Sequence, residues 1–136
     1  MAKPRMLVLA AVALCVSCWC AAQQKETVTL EGTLVSATCY LGDNSATGND
    51  MNGVKECGTG CLKQGKPAGL VTQEKKFHIL DAPSLLLAPY VGRQIRVTGI
   101  DHEGVISVRK AEIRKGSGWE EMDLKSLTPG QGSKPS

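Results

Sequence analysis

Thr27–Cys39 reads TVTLEGTLVSATC, and the fold turns on how this stretch is read. Val28, Leu30 and Leu34 share one face, with Gly32 between them. Past Gly32 the small or apolar positions shift to Val35, Ala37 and Cys39. A period of two is the signature of a strand, and a change of face marks an extra residue. The expectation is one long, bent strand with a bulge near Gly32 to Val35.

Working outward, Leu41 to Gly53 is rich in Gly, Asn, Asp, Ser and Thr and reads as a loop. Val54 to Gln64 reads as a short helix, with Asn52 as its cap and Gly65 as its stop. Ala68 to Thr72 and Lys75 to Leu80 form a hairpin about Gln73-Glu74. Pro83 opens one or two helical turns over Ser84 to Tyr90, ended by Pro89. Arg93 to Ile100 alternates, with Ile95 and Val97 on one face and Arg96 and Thr98 on the other. After the turn Asp101 to Gly104 comes a last strand, Val105 to Arg114. There Ile106 and Val108 give way to Ala111 and Ile113, which predicts a second bulge. From Gly116 the composition turns to Gly, Ser, Lys and Pro, so 116–136 reads as a flexible tail with Trp119 tucked back onto the domain.

Five strands with a short helix between the third and fourth predict an all-β, OB-like Greek-key barrel over 27–115, with a second short helix in the cysteine insertion after the first strand. Tyr90–Gly99, YVGRQIRVTG, resembles the fourth strand of exported bacterial OB-fold proteins. Cys39-Tyr40, Cys57-x-x-x-Cys61-x-x-x-Gly65, Pro67-x-Gly69-Leu70, Gly92 and Val97-Thr98-Gly99 together resemble a group of secreted bacterial proteins of this type with no settled activity. The likeness runs from Val28 to Ile113. Such proteins often carry a His shortly before the first cysteine of the pair. Here those positions are Gly53-Val54-Lys55-Glu56, so the resemblance supplies no histidine ligand there.

The first 22 residues read as a signal peptide. Lys3 and Arg5 precede the apolar run Met6–Val16, and Cys20-Ala21-Ala22 offers small side chains for cleavage before Gln23. The run is shorter than the roughly 20 residues that span a bilayer. Lipidation of Cys18 meets a poor recognition sequence in Cys15-Val16-Ser17. A secreted or periplasmic protein with no stable membrane anchor is expected. Removing Lys3 and Arg5 from the sixteen basic residues leaves fourteen against thirteen acidic ones, a net of +1. That balance gives no electrostatic reason to expect nucleic acid or an anionic membrane as partner. An unidentified protein or small ligand is the expected partner.

Cleavage also leaves three of the six cysteines, Cys39, Cys57 and Cys61. The leading reading is structural: an oxidising compartment favours a disulfide, and Cys39 pairs with Cys57 or Cys61. Closing a loop of about 20 residues contributes on the order of 3 kcal/mol. A Cys57–Cys61 bond is strained within a regular helix. The second reading is a soft-metal site for Cu(I) or Zn(II), with Cys39, Cys57 and Cys61 as ligands and His78 or Met51 as a fourth. The third is thiol exchange, with Lys55 or Lys63 favouring a thiolate. CxxxC, however, lacks the CxxC register and a surrounding βαβ pattern.

No catalytic constellation is visible. The two histidines are His78, on a strand, and His102, in a turn between Asp101 and Glu103. Asp43 to Gly48 begins like a calcium loop, but Val54 stands where the bidentate Glu belongs. Tyr40, Phe77, Tyr90 and Trp119 give a weak stacking surface for oligonucleotides. The expected function is therefore a non-enzymatic binding or interaction module.

Overall fold

The computed structural model describes residues 25–125, apart from Asn52. The signal segment 1–22, Cys18, the cap at Asn52 and the chain from residue 126 lie outside the described residues. Six strands make one sheet: β1 Thr27–Ser36, β2 Ala68–Thr72, β3 Phe77–Asp81, β4 Gln94–His102, β5 Val105–Lys115 and β6 Gly118–Glu121. Helices α1 Ala37–Gly42 and α2 Cys57–Lys63 lie in the β1–β2 connection. Helix α3 Ser84–Leu87 and a 3-10 turn Ala88–Tyr90 join β3 to β4. Pro89 thus sits within the 3-10 turn rather than ending the segment. Among the described residues no helix is long and apolar enough to cross a membrane.

The strands follow the order β3-β2-β1-β4-β5-β6, and β3 also pairs with β5 in parallel. All the other pairings are antiparallel. β1 is the strand that makes this arrangement work. Its first half, Thr27 to Thr33, pairs with β4, and its second half, Gly32 to Ser36, pairs with β2. The change of face seen in its sequence comes from this exchange of partners. Both ladders run through β1 without a register break, so the expected bulge at Gly32 to Val35 is absent. Beyond Gly32 both faces of the strand are covered. Leu34 enters the main core with Leu62, Leu70, Ile95, Val97 and Ile106. Val35 enters a second cluster with Tyr40 and Val71, against Phe77. A strand buried on both faces loses its alternation.

The bulge expected in the last strand is present. Thr98 faces Lys110 but Gly99 faces Val108, which makes Arg109 the extra residue. The chain does not become loose at Gly116. β6 pairs along β5 from Lys115↔Gly118 to Glu112↔Glu121, Met122 donates its N–H to the Ala111 carbonyl at 2.8 Å, and its side chain is buried in the main core. Among the described residues the sheet thus has six strands rather than five. Trp119 is where the sequence put it, back on the domain, with the guanidiniums of Arg96 (4.7 Å) and Arg114 (5.1 Å) over its ring.

Arg96 reaches across to Glu112 as well, donating through Nε at 2.8 Å and Nη2 at 3.1 Å. This fork holds the Glu112 carboxylate at a pKa of about 2. Burial opposes the shift, and Lys110 adds to it. The folded pKa lies below the ordinary 4.5, so the pair's contribution is full above that value and fades as pH falls toward 2. Thermal midpoints should therefore drop more steeply between pH 5 and pH 2 in the native sequence than in Glu112→Gln. Parallel profiles would show that the pair adds nothing to stability.

Candidate metal centre

Cys39 lies in α1, not at the end of β1. The strand stops at Ser36, where the Ala37 N–H turns to the Pro67 carbonyl at 3.0 Å. The six residues that follow, ATCYLG, coil into a short helix. Its one large buried side chain is Tyr40, whose ring stacks on Phe77 with centroids 4.9 Å apart and planes 18° apart. That contact pins the residue next to Cys39 onto the sheet. Phe77 in turn lies over Gly69 of β2, where a Cβ would collide with the Phe77 ring. The sequence Gly69-Leu70 thus helps to place a cysteine thirty positions earlier in the chain.

Helix α2 carries the other two cysteines. It starts at Cys57, three residues later than expected, because Val54 is taken by a bridge with Met51 and Asp50 accepts the Glu56 N–H at 2.7 Å. Glu56 sits in the left-handed region at φ 51, which an ordinary side chain adopts at a cost of about 1 kcal/mol or more. The helix ends as the sequence predicts. Gly65, at φ 81, donates to the Leu62 carbonyl, and Lys66 donates to that of Cys61, which is a Schellman closure.

Three contacts fix α2 in place. Leu62 is fully buried in the main core. Gly58 lets Val91 approach so closely that a Cβ would stand 2.6 Å from its Cγ1. Asn49 bonds the helix three times: its Oδ1 accepts from the Thr59 N–H (2.8 Å), its Nδ2 donates to Thr59 Oγ1 (2.9 Å), and its carbonyl accepts from Gly58 (2.9 Å). The single hydroxyl proton of Thr59 goes to the Ala88 carbonyl at 2.8 Å, tying α2 to the 3-10 turn.

The result is a cluster of three sulfurs. The Sγ atoms of Cys39, Cys57 and Cys61 all lie within 4.8 Å of one another, and those of Cys39 and Cys61 are 3.8 Å apart. All three residues are half-buried and all are free thiols. The expected disulfide is therefore not formed: all three cysteines are free, and a bond needs about 2.05 Å, little more than half the distance between Cys39 and Cys61. The sequence-predicted cysteines do converge. His78 does not join them. It lies on β3 opposite Leu70, and its buried Nδ1 has no hydrogen-bond partner among the described residues. Met51 is held by its bridge to Val54 in the loop before α2. His102 closes β4 opposite Val105. The loop Asp43 to Ser45 is an Asx turn: Asp43 accepts from both the Ser45 hydroxyl and its N–H, which lowers the Asp43 pKa. Its carboxylate is thus used within the loop itself.

Sequence reasoning missed Asn49 and Thr59, the residues that orient α2. The polar character of Asn49 made it look like ordinary loop. A groove of about 270 Å³ lined by Thr29, Leu30, Glu31, Thr72, Gln73 and Glu74 touches none of the cysteines. Comparison with family models, curated proteins and solved structures gave no match to this chain in any of the three.

Proposed function

We propose that this chain is an exported, non-enzymatic binding module of OB-like barrel architecture, whose working site is a three-thiolate centre for a soft metal ion, Cu(I) or Zn(II). The observation that carries the metal reading is the spacing of the sulfurs. Metal–sulfur bonds of about 2.3 Å put neighbouring sulfurs about 3.8 Å apart in a tetrahedron and about 4.0 Å apart in a trigonal plane. The 3.8 Å between Cys39 and Cys61 lies in that range and not at the length of a bond between sulfurs, and Cys57 stands inside 4.8 Å of both. Thiolates select soft ions, which disfavours Mg²⁺ or Ca²⁺. Three sulfurs complete a trigonal Cu(I) site and leave one position open on tetrahedral Zn(II).

The barrel reading is supported by the circuit of pairings β1-β2-β3-β5-β4 and back to β1, with β3 and β5 parallel. Export is supported by the N-terminal segment 1–22. The test is zinc titration of the reduced mature chain, competed against a chromophoric chelator, with alkylation read by intact mass. One zinc per chain is expected, with all three cysteines protected until a chelator is added. Alkylation at the same rate with and without zinc would sink the proposal.

A further inference from the structure

We propose that Cys39 and Cys61 are the dithiol pair of a redox switch that empties the metal site; the switch rests on the metal reading above. The three thiols are not equivalent. Cys57 and Cys61 are four apart on one helix, where Cβ atoms stand about 5–6 Å apart, beyond the roughly 3.5–4.5 Å that a disulfide requires. Closing that pair would unwind α2, which is fixed by Leu62 in the core and by Asn49 on Gly58 and Thr59. Cys39 stands on a separate short helix, and its sulfur is already 3.8 Å from that of Cys61. All three cysteines are half-buried, so a small disulfide can reach them.

The oxidant is a small-molecule disulfide, RSSR. One protein thiolate of the pair attacks a sulfur of RSSR and expels RS⁻, leaving a mixed disulfide on the protein. The second thiolate attacks the protein sulfur of that bond and expels the second RS⁻. The two protein sulfurs lose two electrons in total, and RSSR leaves as two RS⁻, which take up two protons from water. The metal then keeps Cys57 alone of its three ligands and is released. A dithiol reductant reverses the sequence.

The experiment loads the reduced full mature chain with one equivalent of zinc and adds oxidised glutathione. A chromophoric chelator follows the zinc, and mass spectrometry after alkylation locates the free cysteine. Zinc should be released in step with the loss of two hydrogens, with Cys57 as the alkylated residue, and dithiothreitol should restore binding. The metal-free Cys57→Ser variant should form the same bond. Cys39→Ser and Cys61→Ser should go no further than a glutathione adduct. Zinc retained on the oxidised chain, or a bond that includes Cys57, would overturn the switch while leaving the metal reading intact. Failure of the reduced chain to take up zinc before any oxidant is added would remove the metal reading, and the switch with it. A Cys39–Cys61 bond in that metal-free chain would then mark the pair as exchanging thiols only.

Discussion

Gly32→Val should remove a large share of the folding stability at 25 °C. A Cβ at position 32 runs into the carbonyl oxygen of Val71, stands 2.8 Å from the carbonyl carbon and 3.1 Å from Thr72 Cα. These are backbone atoms of β2 and cannot swing aside as a side chain would. Nor can β1 retreat, because Gly32 pairs with Thr72 on one edge and Ile95 on the other. Overpacking alone typically costs about 1–3 kcal/mol. Here relief would also pull a ladder away from β1, so a loss of at least about 4 kcal/mol is expected, against a total of roughly 5–15 kcal/mol for a small domain. Urea unfolding followed by circular dichroism is the check. Gly60→Ala is the control of opposite sign: a Cβ there meets nothing within 4 Å, and the site lies inside α2. It should gain roughly 0.5–1 kcal/mol from helix propensity. A Gly32→Val midpoint close to that of the parent would mean that β2 does not lie over Gly32.

The second large effect concerns the sulfurs. Structural zinc sites with four ligands contribute roughly 10–16 kcal/mol in apparent binding, which is about 2.5–4 kcal/mol for each ligand. Serine at Cys39, Cys57 or Cys61 should therefore weaken zinc binding by about two to three orders of magnitude. The three effects should be similar in size if each sulfur is a ligand. His78→Ala should change zinc affinity by less than about twofold, since the sulfur cluster does not include His78. Competition titration measures all four variants. A loss confined to one cysteine would reduce the cluster to a single reactive thiol. A large loss in the His78 variant would return that residue to the ligand set.

Most of the strand framework was legible because its residues obey a period of two. Ile95 and Val97 are fully buried while Arg96 and Thr98 face outward, and the shift from Val108 to Ala111 does mark a bulge. Gly65 was legible as a stop because the Schellman closure needs a residue with positive φ. Three features escaped for physical reasons. Ala37–Gly42 has no side-chain cap and only six residues, so nothing local distinguished a helix from the end of a strand. Its conformation is set by Tyr40 on Phe77, a contact between residues far apart in the chain. β6 reads GWEE, with no apolar alternation. It is held by its ladder to β5 and by Met122 in the core, neither of which a local pattern reveals. In β1 the break in alternation was visible, but two causes produce the same break. Only the pairing partners separate a bulge from a strand that passes between two neighbours. The three cysteines were identified as the site by composition and compartment. Their mutual distance depended on where Asn49 and Thr59 seat α2.

The placement of the cysteines also bears on how fast the chain finds its fold. Pairing Ser36 with Ala68 closes a connection of roughly 30 residues, and pairing Thr27 with Ile100 closes a far longer one. Contacts so distant along the chain make for slow folding. Cys39 stands just inside the start of the shorter connection, and Cys61 a few residues before its end. Joining them, through a metal or through a bond, leaves only short flanking pieces to be ordered before β1 meets β2. The same sulfurs that would hold an ion would then act earlier, as a clasp that shortens the search for the first sheet pairing.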